Sequence, residues 1–355
     1  MNPGHRSTIP LSVLDVALIE DGTTAAQTLS TTIAAAQHAE QLGCARFWVA
    51  EHHTPGVASA SPAVVTAAVA GATTSIRVGA GGVLLPNHPP FLVAEDFGTL
   101  GAFSPGRIDL GIGRGAGTTS AAVTALVRPG APEPTETSHR RDLEALLGAF
   151  RATDPDAVPV TARPGTAPEV WVLGTSTASA FLAAELGLPL CFAHHIRPTA
   201  SVESIARYRE AFRPSSWSSR PHVMLSVAAI VAATDEEADV LARPFDVYLA
   251  EQLVGGTATS VPTPEQALRH VLTDAQEQFL AVRRSHQVQG STDTAARQLA
   301  EIVRATAPDE LIALTPVSDP AARRRSLALL MAVAATAQVA DARAVPSGTD
   351  TPARP

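Results

Sequence analysis

The sequence contains no lysine, so all 26 of its basic residues are arginines. This absence excludes mechanisms that need a lysine amine, such as Schiff-base catalysis and phosphate binding by a P-loop lysine. Acidic residues outnumber basic ones, 34 to 26, and the formal net charge is −8. Because an acidic chain repels phosphate backbones and anionic lipids, we expect no nucleic-acid partner and no membrane partner.

Cysteine is also scarce. Cys44 and Cys191 lie in apolar, strand-like surroundings and are too few for a disulfide framework. No apolar run reaches the roughly 20 residues that a membrane-spanning helix needs. The apolar run near the N-terminus is too short and too interrupted for a signal peptide. We therefore expect a soluble, cytoplasmic protein with reduced cysteines.

Strand-like and helix-like segments alternate along the chain. The hydrophobic fraction of 45% and the length of 355 residues suit one large α/β barrel. An irregular insertion at residues 251–290 precedes the last strand–helix unit. We predict a single (β/α)8 TIM barrel over residues 1–344 and a disordered tail at 345–355. The predicted strands are 9–18, 45–50, 76–85, 107–112, 170–173, 190–193, 222–233 and 310–315.

Two of the predicted strands end in glycine-rich sequence. Gly81 and Gly82 lie in the third strand, and Gly113 and Gly115 flank Arg114 after the fourth. In a parallel barrel, ligands bind at the carboxyl ends of the strands, where glycine lets a flat ligand approach the backbone. Arg114 supplies a cation that can pair with an anionic ring or a phosphate. Both strand ends are therefore predicted to contact one ligand.

Residues 111–116 match the loose GxGxxA dinucleotide-binding pattern. The match does not predict nicotinamide binding, because glycine, threonines and prolines follow where a helix would have to begin. The Gly-, Pro- and Thr-rich stretch at 113–138 is instead predicted to be a long active-site loop.

Histidine pairs end two other strands. Residues 51–53 read Glu-His-His after the second strand, and residues 194–195 read His-His after the sixth. Adjacent side chains of an extended chain point to opposite sides, so one histidine of each pair should face the barrel mouth. Neither pair has the helical spacing of an HExxH metal site. Taken alone, each pair fits a structural role as well as a functional one, but two such pairs at the same end of one barrel favour function. A metal-dependent hydrolase that uses these histidines with Asp15 or Glu51 stays open as an alternative.

A strand-to-helix turn rich in hydroxyl groups contains Gly174, Thr175, Ser176 and Ser179. An ordinary helix cap would need only one of these residues. Exposed N–H groups at a helix N-terminus, together with several hydroxyls, favour a phosphate-binding site.

Longer motifs follow one another in a fixed order: RFWVAEHH (46–53), IRVGAGGVLLPNHPP (76–90), VAEDFGTL (93–100), PGRIDLGIGRGAG (105–117), VWVLGTSTASAFLAAELGLP (170–189), FAHH (192–195) and DEL (309–311). In this order they closely resemble the luciferase-like monooxygenase family, in its bacterial-luciferase-type, FMN-using branch. The resemblance extends over about residues 9–340.

The resemblance implies a (β/α)8 barrel that binds FMN at its C-terminal mouth. Reduced FMN would react with dioxygen to give a flavin 4a-hydroperoxide, which oxygenates a small organic substrate in a secondary-metabolite or catabolic pathway. Because no second nucleotide motif is present, we expect a separate NAD(P)H:flavin reductase to supply the reduced flavin. The family also implies a homodimer formed through outer helices.

The same resemblance assigns roles to individual residues. His52 matches the family's active-site histidine, and His195 falls where related enzymes carry a histidine that faces the site. The bond between Gly81 and Gly82 matches a non-prolyl cis peptide beside the isoalloxazine ring. Arg114 matches an arginine that contacts the flavin. In physical terms, Arg114 would offset negative charge on reduced flavin, and His52 would hydrogen-bond or protonate a peroxide oxygen.

The phosphate site is assigned in the same way. Ser176 and Ser179 match the family's phosphate-binding hydroxyls, within the turn that begins with Gly174 and Thr175. Arg140 or Arg141 is a candidate for a further phosphate ligand.

The chain departs from the family pattern in its long loop. Gly113 stands where light-emitting luciferases carry cysteine, which argues against bioluminescence. Residues 115–119 replace the usual Ala-Pro-Gly and lack a common aspartate, so we expect a different substrate. Two rival functions remain: a deazaflavin-dependent oxidoreductase on the same barrel, and a non-catalytic flavin-binding protein. The sequence does not identify the substrate.

Overall fold

The computed structural model describes residues 8–115, 135–151, 166–255 and 258–336. The predicted tail at 345–355 lies outside these residues, as does most of the predicted loop at 113–138. The strands are β1 Leu11–Asp15, β2 Arg46–Val49, β3 Arg77–Leu84, β4 Ile108–Gly113, β5 Glu169–Gly174, β6 Leu190–Ala193, β7 Val223–Ala232, β8 Val288–Ser291 and β9 Glu310–Leu314.

Helices follow the strands in alternation. They are α1 Ala25–Gln41, α2 Pro62–Ala72, α3 Pro90–Phe103, α4 Glu136–Arg151, α5 Thr177–Leu186, α6 Ser201–Ala211, α7 Asp235–Ala250, α8 Pro264–Arg269, α9 Asp274–Arg284, α10 Thr292–Thr306 and α11 Pro320–Thr336. Among these described helices, none is long and apolar enough to cross a lipid bilayer.

The sheet closes on itself. Strands β1 to β7 pair in sequence order, β9 pairs with both β7 and β1, and every pairing is parallel. The closed ring therefore consists of eight parallel strands surrounded by helices. This confirms the predicted (β/α)8 barrel.

The insertion before the last unit is also present, but its content was only partly predicted. It contains a π-helical turn at Glu251–Gly255, the helices α8 and α9, and the strand β8. β8 pairs with the upper half of the ten-residue strand β7, above the level at which β9 leaves it. The sequence does not indicate this strand, because Val-Gln-Gly-Ser has no apolar alternation.

The first strand is shorter than predicted. It ends at Asp15, whereas the sequence indicated a strand over 9–18. Ala17 has a φ of 53°, which an extended strand cannot contain. The carboxylate of Asp15 accepts a hydrogen bond from the Ala17 N–H at 2.8 Å and holds this turn.

Charged side chains fill the amino-terminal end of the barrel interior. The Arg46 guanidinium lies 3.0 Å from Asp109, 3.0 Å from Glu310 and 3.2 Å from Glu169. The Trp48 indole N–H donates to Asp109 at 2.9 Å, and Trp171 packs edge-on against Trp48 with ring centroids 5.6 Å apart. The interior is thus closed below the two tryptophans and can be open only above them.

Candidate active site

A cavity of about 360 Å³ lies at the carboxyl end of the barrel, above the two tryptophans. Inward-facing residues of β2, β6 and β9 form its deep wall: Trp48, Cys191 and Ile312. The cavity brings together nine of the ten predicted site residues, which are His52, Gly81, Gly82, Arg114, Gly174, Thr175, Ser176, Ser179 and His195. The carboxyl-terminal parts of five strands, β2 to β6, thus converge on one space, as the fold class predicts.

The wall formed by β3 and β4 carries almost no side chains. A Cβ atom on Gly81 would lie 2.8 Å from Cε3 of Trp48, and one on Gly82 would lie 2.6 Å from the carbonyl oxygen of Gly111. Such distances are too short for any side chain, so both positions require glycine. The Gly81–Gly82 peptide bond is cis, as the resemblance predicted. Gly81 and Gly82 therefore present bare backbone on one side of the cavity.

Glu51 organises the rim beside this wall. Its Oε1 accepts hydrogen bonds from Nε2 of His53 at 2.8 Å, from Nε2 of His88 at 2.9 Å and from the amide of Asn87 at 3.2 Å. Its Oε2 accepts from the backbone N–H of Leu84 at 2.9 Å. One buried carboxylate therefore joins the end of β2 to the whole turn that follows β3.

Burial alone would raise the pKa of Glu51. The hydrogen bond and the charge of His88, together with hydrogen bonds from the Leu84 backbone and the His53 side chain, outweigh this effect. The pKa of Glu51 consequently lies below its ordinary value. The carboxylate is ionised at neutral pH and its oxygens are already engaged by protein donors. In the described residues, no group of three or more His, Cys, Asp or Glu side chains could hold a metal ion.

The two histidines that follow β2 face different ways, as predicted from their adjacency. The His52 side chain lines the cavity, while its backbone N–H donates to Ser59 at 3.1 Å. The His53 ring turns to Glu51 instead. Of this pair, His52 is therefore the residue in position to contact a ligand.

The second histidine pair also divides. His195 lines the cavity, and its Nδ1 lies 2.7 Å from Oγ of Ser226 on β7. His194 is buried, and its Nδ1 lies 3.0 Å from Oγ of Ser201. The Ser201 hydroxyl donates its hydrogen to the Pro198 carbonyl, so it must accept from an Nδ1–H of His194.

Burial lowers the pKa of both residues of this pair, to about 3 for His195 and about 4 for His194. The positive charge of Arg283, on α9 of the insertion, is the next largest cause for His195. His286 adds to the effect for His194. Both imidazoles are therefore neutral at physiological pH.

The turn after β5 is built as an N-terminal helix cap. Ser176 is the cap residue of α5: its Oγ accepts from the Ser179 N–H, and Oγ of Ser179 accepts from the Ser176 N–H, both at 3.3 Å. A Cβ on Gly174 would lie 1.9 Å from Oγ of Ser179, so glycine is required there. The hydroxyls and N–H groups gather where the helix dipole favours an anion.

Arg114 also lines the cavity, at the end of β4, the strand that pairs with β5. Its Nη1 lies 3.1 Å from Glu136 at the start of α4, and both side chains are well exposed. This exposed ion pair leaves the guanidinium able to exchange its partner for a bound anion, because such pairs contribute little to stability.

Arg140 is the one predicted site residue that the structure locates elsewhere. It does not line the cavity, and its guanidinium forms an ion pair with Glu185 of α5 and lies 3.7 Å from Glu144. Arg141 is largely exposed and lies 3.7 Å from Asp142. The sequence could not indicate this, because residue types within α4 do not fix the rotation of the helix about its axis.

Several cavity residues were not predicted. Ser226 and Cys191 face inward from the middle of β7 and β6, and Trp48 does so from β2. The signal was available in the two-residue period of each strand, which assigns every second residue to the barrel interior. The site prediction used only the residues at the strand ends and therefore omitted these three.

The luciferase-like monooxygenase family matches residues 10–320 of the chain. Protein YceB of Bacillus subtilis is 39% identical over 323 residues, which cover 90% of this chain and 97% of that protein. The N-acetyl-S-alkylcysteine monooxygenase of Bacillus subtilis is 33% identical over 332 residues, 91% of this chain and 97% of the relative. The crystal structure of apo-MsnO8 is 35% identical, with a TM-score of 0.83 over 92% of this chain and 98% of that one.

More distant structures share the fold. The oxygenating constituent of 3,6-diketocamphane monooxygenase from Pseudomonas putida, a complex with FMN, is 21% identical with a TM-score of 0.69, over 92% of this chain and 97% of that one. An F420-dependent secondary alcohol dehydrogenase is 14% identical with a TM-score of 0.66, over 92% and 98%. The fold by itself therefore does not choose between FMN and a deazaflavin.

Proposed function

From the premise that this chain belongs to the luciferase-like monooxygenase family, we propose that it uses reduced FMN and dioxygen to oxygenate a small organic substrate. The enzyme is an oxygen-incorporating oxidoreductase. One observation supports a flavin-type cofactor: a glycine wall and a hydroxyl-rich helix N-terminus border the same cavity. That combination suits a planar ring with a phosphate tail. Within that class, the relatives that are named monooxygenases favour FMN over a deazaflavin.

The residues present fit such a cofactor. The Gly81–Gly82 wall has no side chain that would hold a planar ring away from the backbone. Ser176 and Ser179, with the first N–H groups of α5, would hold the phosphate. Arg114 would pair with negative charge on the cofactor, and its only ion-pair partner among the described residues is the exposed Glu136. Arg140, in contrast, is engaged by Glu185 and would bind no phosphate in this arrangement.

When bound, the flavin supplies the electrons and activates dioxygen. The chain's own residues would position and shield the reacting groups. His52 reaches the cavity and would hydrogen-bond a ligand oxygen or transfer a proton to it. Trp48, Leu173 and Ile312 provide an apolar surround that excludes water. Glu51 does not react in this scheme; it fixes the rim on which His52 stands.

We propose two further properties, the source of the reduced flavin and the oligomeric state. Reduced FMN would come from a separate NAD(P)H:flavin reductase. The chain would form a homodimer through α2 and α3, whose outer faces expose Val64, Leu92 and Phe103. Light scattering at several protein concentrations tests the dimer: a monomer at all concentrations would contradict it.

Titration of the purified protein with FMN and with F420 tests the choice of cofactor. We expect FMN binding and no F420 binding; the reverse result would instead support a deazaflavin-dependent oxidoreductase. Oxygenation is then measured with chemically reduced FMN, dioxygen and N-acetyl-S-alkylcysteines, because a relative acts on these compounds. Mass spectrometry after reaction in ¹⁸O₂ should show one labelled oxygen in a product. If tight FMN binding accompanies no oxygenation of any acceptor tried, the protein would be a non-catalytic flavin-binding protein.

A further inference from the structure

The contact between His195 and Ser226 determines more than the position of a ring. Nδ1 of His195 and Oγ of Ser226 are 2.7 Å apart, and either atom can be the donor. The backbone strengthens the pairing, because the His195 N–H donates to the Ser226 carbonyl at 3.1 Å. His195 follows the end of β6, and Ser226 lies beside it within the neighbouring strand β7.

Counting hydrogens distinguishes the two possible donors. Ser226 is 2% exposed, and within the described residues its hydroxyl has His195 as its sole side-chain or backbone partner. If Nδ1 carried the hydrogen, the hydrogen of the nearly buried serine would have no acceptor among the described residues, and an unpaired donor costs desolvation free energy. If Ser226 donates to Nδ1, no buried group is left unsatisfied. The second arrangement is favoured.

The hydrogen of the neutral ring must then lie on Nε2. Nε2 has no hydrogen-bond partner in the described part of the chain, yet it is not one of the fully buried nitrogens. Since His195 lines the cavity, Nε2–H is directed to the space that a ligand occupies. We propose that Ser226 is a positioning residue that holds His195 as a neutral Nε2–H donor for an oxygen atom of the ligand.

The surroundings fit this role. The charges that act most on His195 are those of Arg283 from the insertion, His194 beside it and His52 across the cavity. None of them is a carboxylate that would stabilise an imidazolium. Glu51 also lines the cavity, but its carboxylate is engaged by His53, His88, Asn87 and Leu84. A fixed N–H near a positive charge suits a carbonyl oxygen or an oxyanion, and it does not suit a cationic ligand. His195 therefore acts by hydrogen bonding, whereas His52 is the residue available for proton transfer.

This role deepens the proposed function, but it can be tested without flavin. Nitrogen NMR of histidine-labelled, flavin-free protein reports which ring nitrogen carries hydrogen. The His195 signals are those that vanish in His195→Gln, with His195→Asn as a second variant if the first does not fold. We expect an Nε2–H ring that does not titrate between pH 5 and 8. An Nδ1–H ring, or titration in that range, would overturn the proposal.

Variants of Ser226 test the positioning itself. Ser226→Ala should give a mixture of both tautomers, and Ser226→Thr should restore the single Nε2–H form. Ser326→Ala is the matched control, because Ser326 is a buried serine whose hydroxyl accepts from Val231 of the same strand at 2.8 Å. The control should leave His195 unchanged. An unaltered tautomer in Ser226→Ala would show that Ser226 does not position the ring. These results stand whether or not the protein binds FMN.

Discussion

Oε1 of Glu51 lies 2.9 Å from Nε2 of His88, and this contact joins residues 37 positions apart in the sequence. Together with the contacts from His53, Asn87 and Leu84, it fixes the turn after β3 against the end of β2. The glycine wall and His52 belong to these two segments. The geometry of the cavity therefore depends on one carboxylate that does not itself react.

Glu51→Gln should lower the free energy of unfolding by about 3 kcal/mol, the usual range for breaking a buried charged network. The neutral amide would present an N–H₂ group to donors that need an acceptor. The effect should also depend on pH. The pKa of Glu51 is lower in the folded protein than its ordinary value of 4.5. Its stabilisation is thus complete above pH 4.5 and is lost as the pH falls through the folded-state pKa.

Urea unfolding of wild type and variant between pH 7 and pH 3 measures this difference. Other carboxylates titrate in both proteins, so only the difference between the two curves is informative. Glu301→Gln, on the exposed face of α10, is the control and should leave stability unchanged at each pH. A constant gap between wild type and Glu51→Gln over the whole range would contradict the ionised, hydrogen-bonded state of Glu51.

Sequence reasoning identified Glu51 only as a possible metal ligand. Its actual role was hidden because three of its four donors come from residues 84–88, which the barrel topology brings to it. A pattern within residues 51–53 cannot reveal partners on the next strand. In contrast, the prediction that one histidine of each pair faces the cavity follows from local alternation and is confirmed. Local geometry was thus readable, and contacts between strands were not.

Ser176→Ala and Ser291→Ala separate helix capping from cofactor binding. Both serines cap a helix, since Ser291 accepts from the Thr294 N–H at the start of α10. Each variant should lose about 1 kcal/mol of stability. Only Ser176→Ala should also weaken FMN binding, about 10-fold or more, because a hydrogen bond to a charged group contributes about 1.5–3 kcal/mol.

Thermal unfolding and an FMN fluorescence titration of both variants provide the measurement. Equal FMN affinity in the two variants would show that the turn before α5 does not bind the phosphate. The proposed cofactor orientation would then be wrong, although the barrel and its cap would be unaffected.

Arg114→Ala should weaken FMN binding about 10- to 100-fold, because it removes a cation that faces the cavity. Arg140→Ala should change FMN binding by less than about threefold, since Arg140 is engaged by Glu185 and does not line the cavity. The affinity of the wild type should fall as salt rises, and that of Arg114→Ala should fall less steeply.

The comparison of these two variants decides between them as cofactor ligands. A large loss of affinity in Arg140→Ala would return that residue to the phosphate site that the sequence suggested.

The positions of Arg114 and Arg140 were not equally predictable from the sequence. Arg114 follows directly after a strand, so the strand places it at the carboxyl end of the barrel. Arg140 lies on a helix that residues 116–134 separate from that strand. Residue identity alone could not tell which face of that helix it would occupy.

The glycine wall makes the last prediction. A methyl group on residue 82 would lie 2.6 Å from the backbone oxygen of Gly111 and 3.0 Å from Cδ2 of Leu173. A backbone oxygen held in the β3–β4 pairing cannot move aside, so Gly82→Ala should cost about 1–3 kcal/mol of stability. The same displacement should push the wall into the cavity and weaken FMN binding.

Gly148 on α4 is the matched control, because a methyl group there meets no atom within 4 Å. Gly148→Ala should stabilise the protein by about 0.5–1 kcal/mol and leave FMN affinity unchanged, as expected for alanine in a helix. Denaturant unfolding and FMN titration of the pair test both effects together. If Gly82→Ala bound FMN as tightly as Gly148→Ala does, the ring could not lie against this wall, because a change in the wall would have had no effect on FMN affinity.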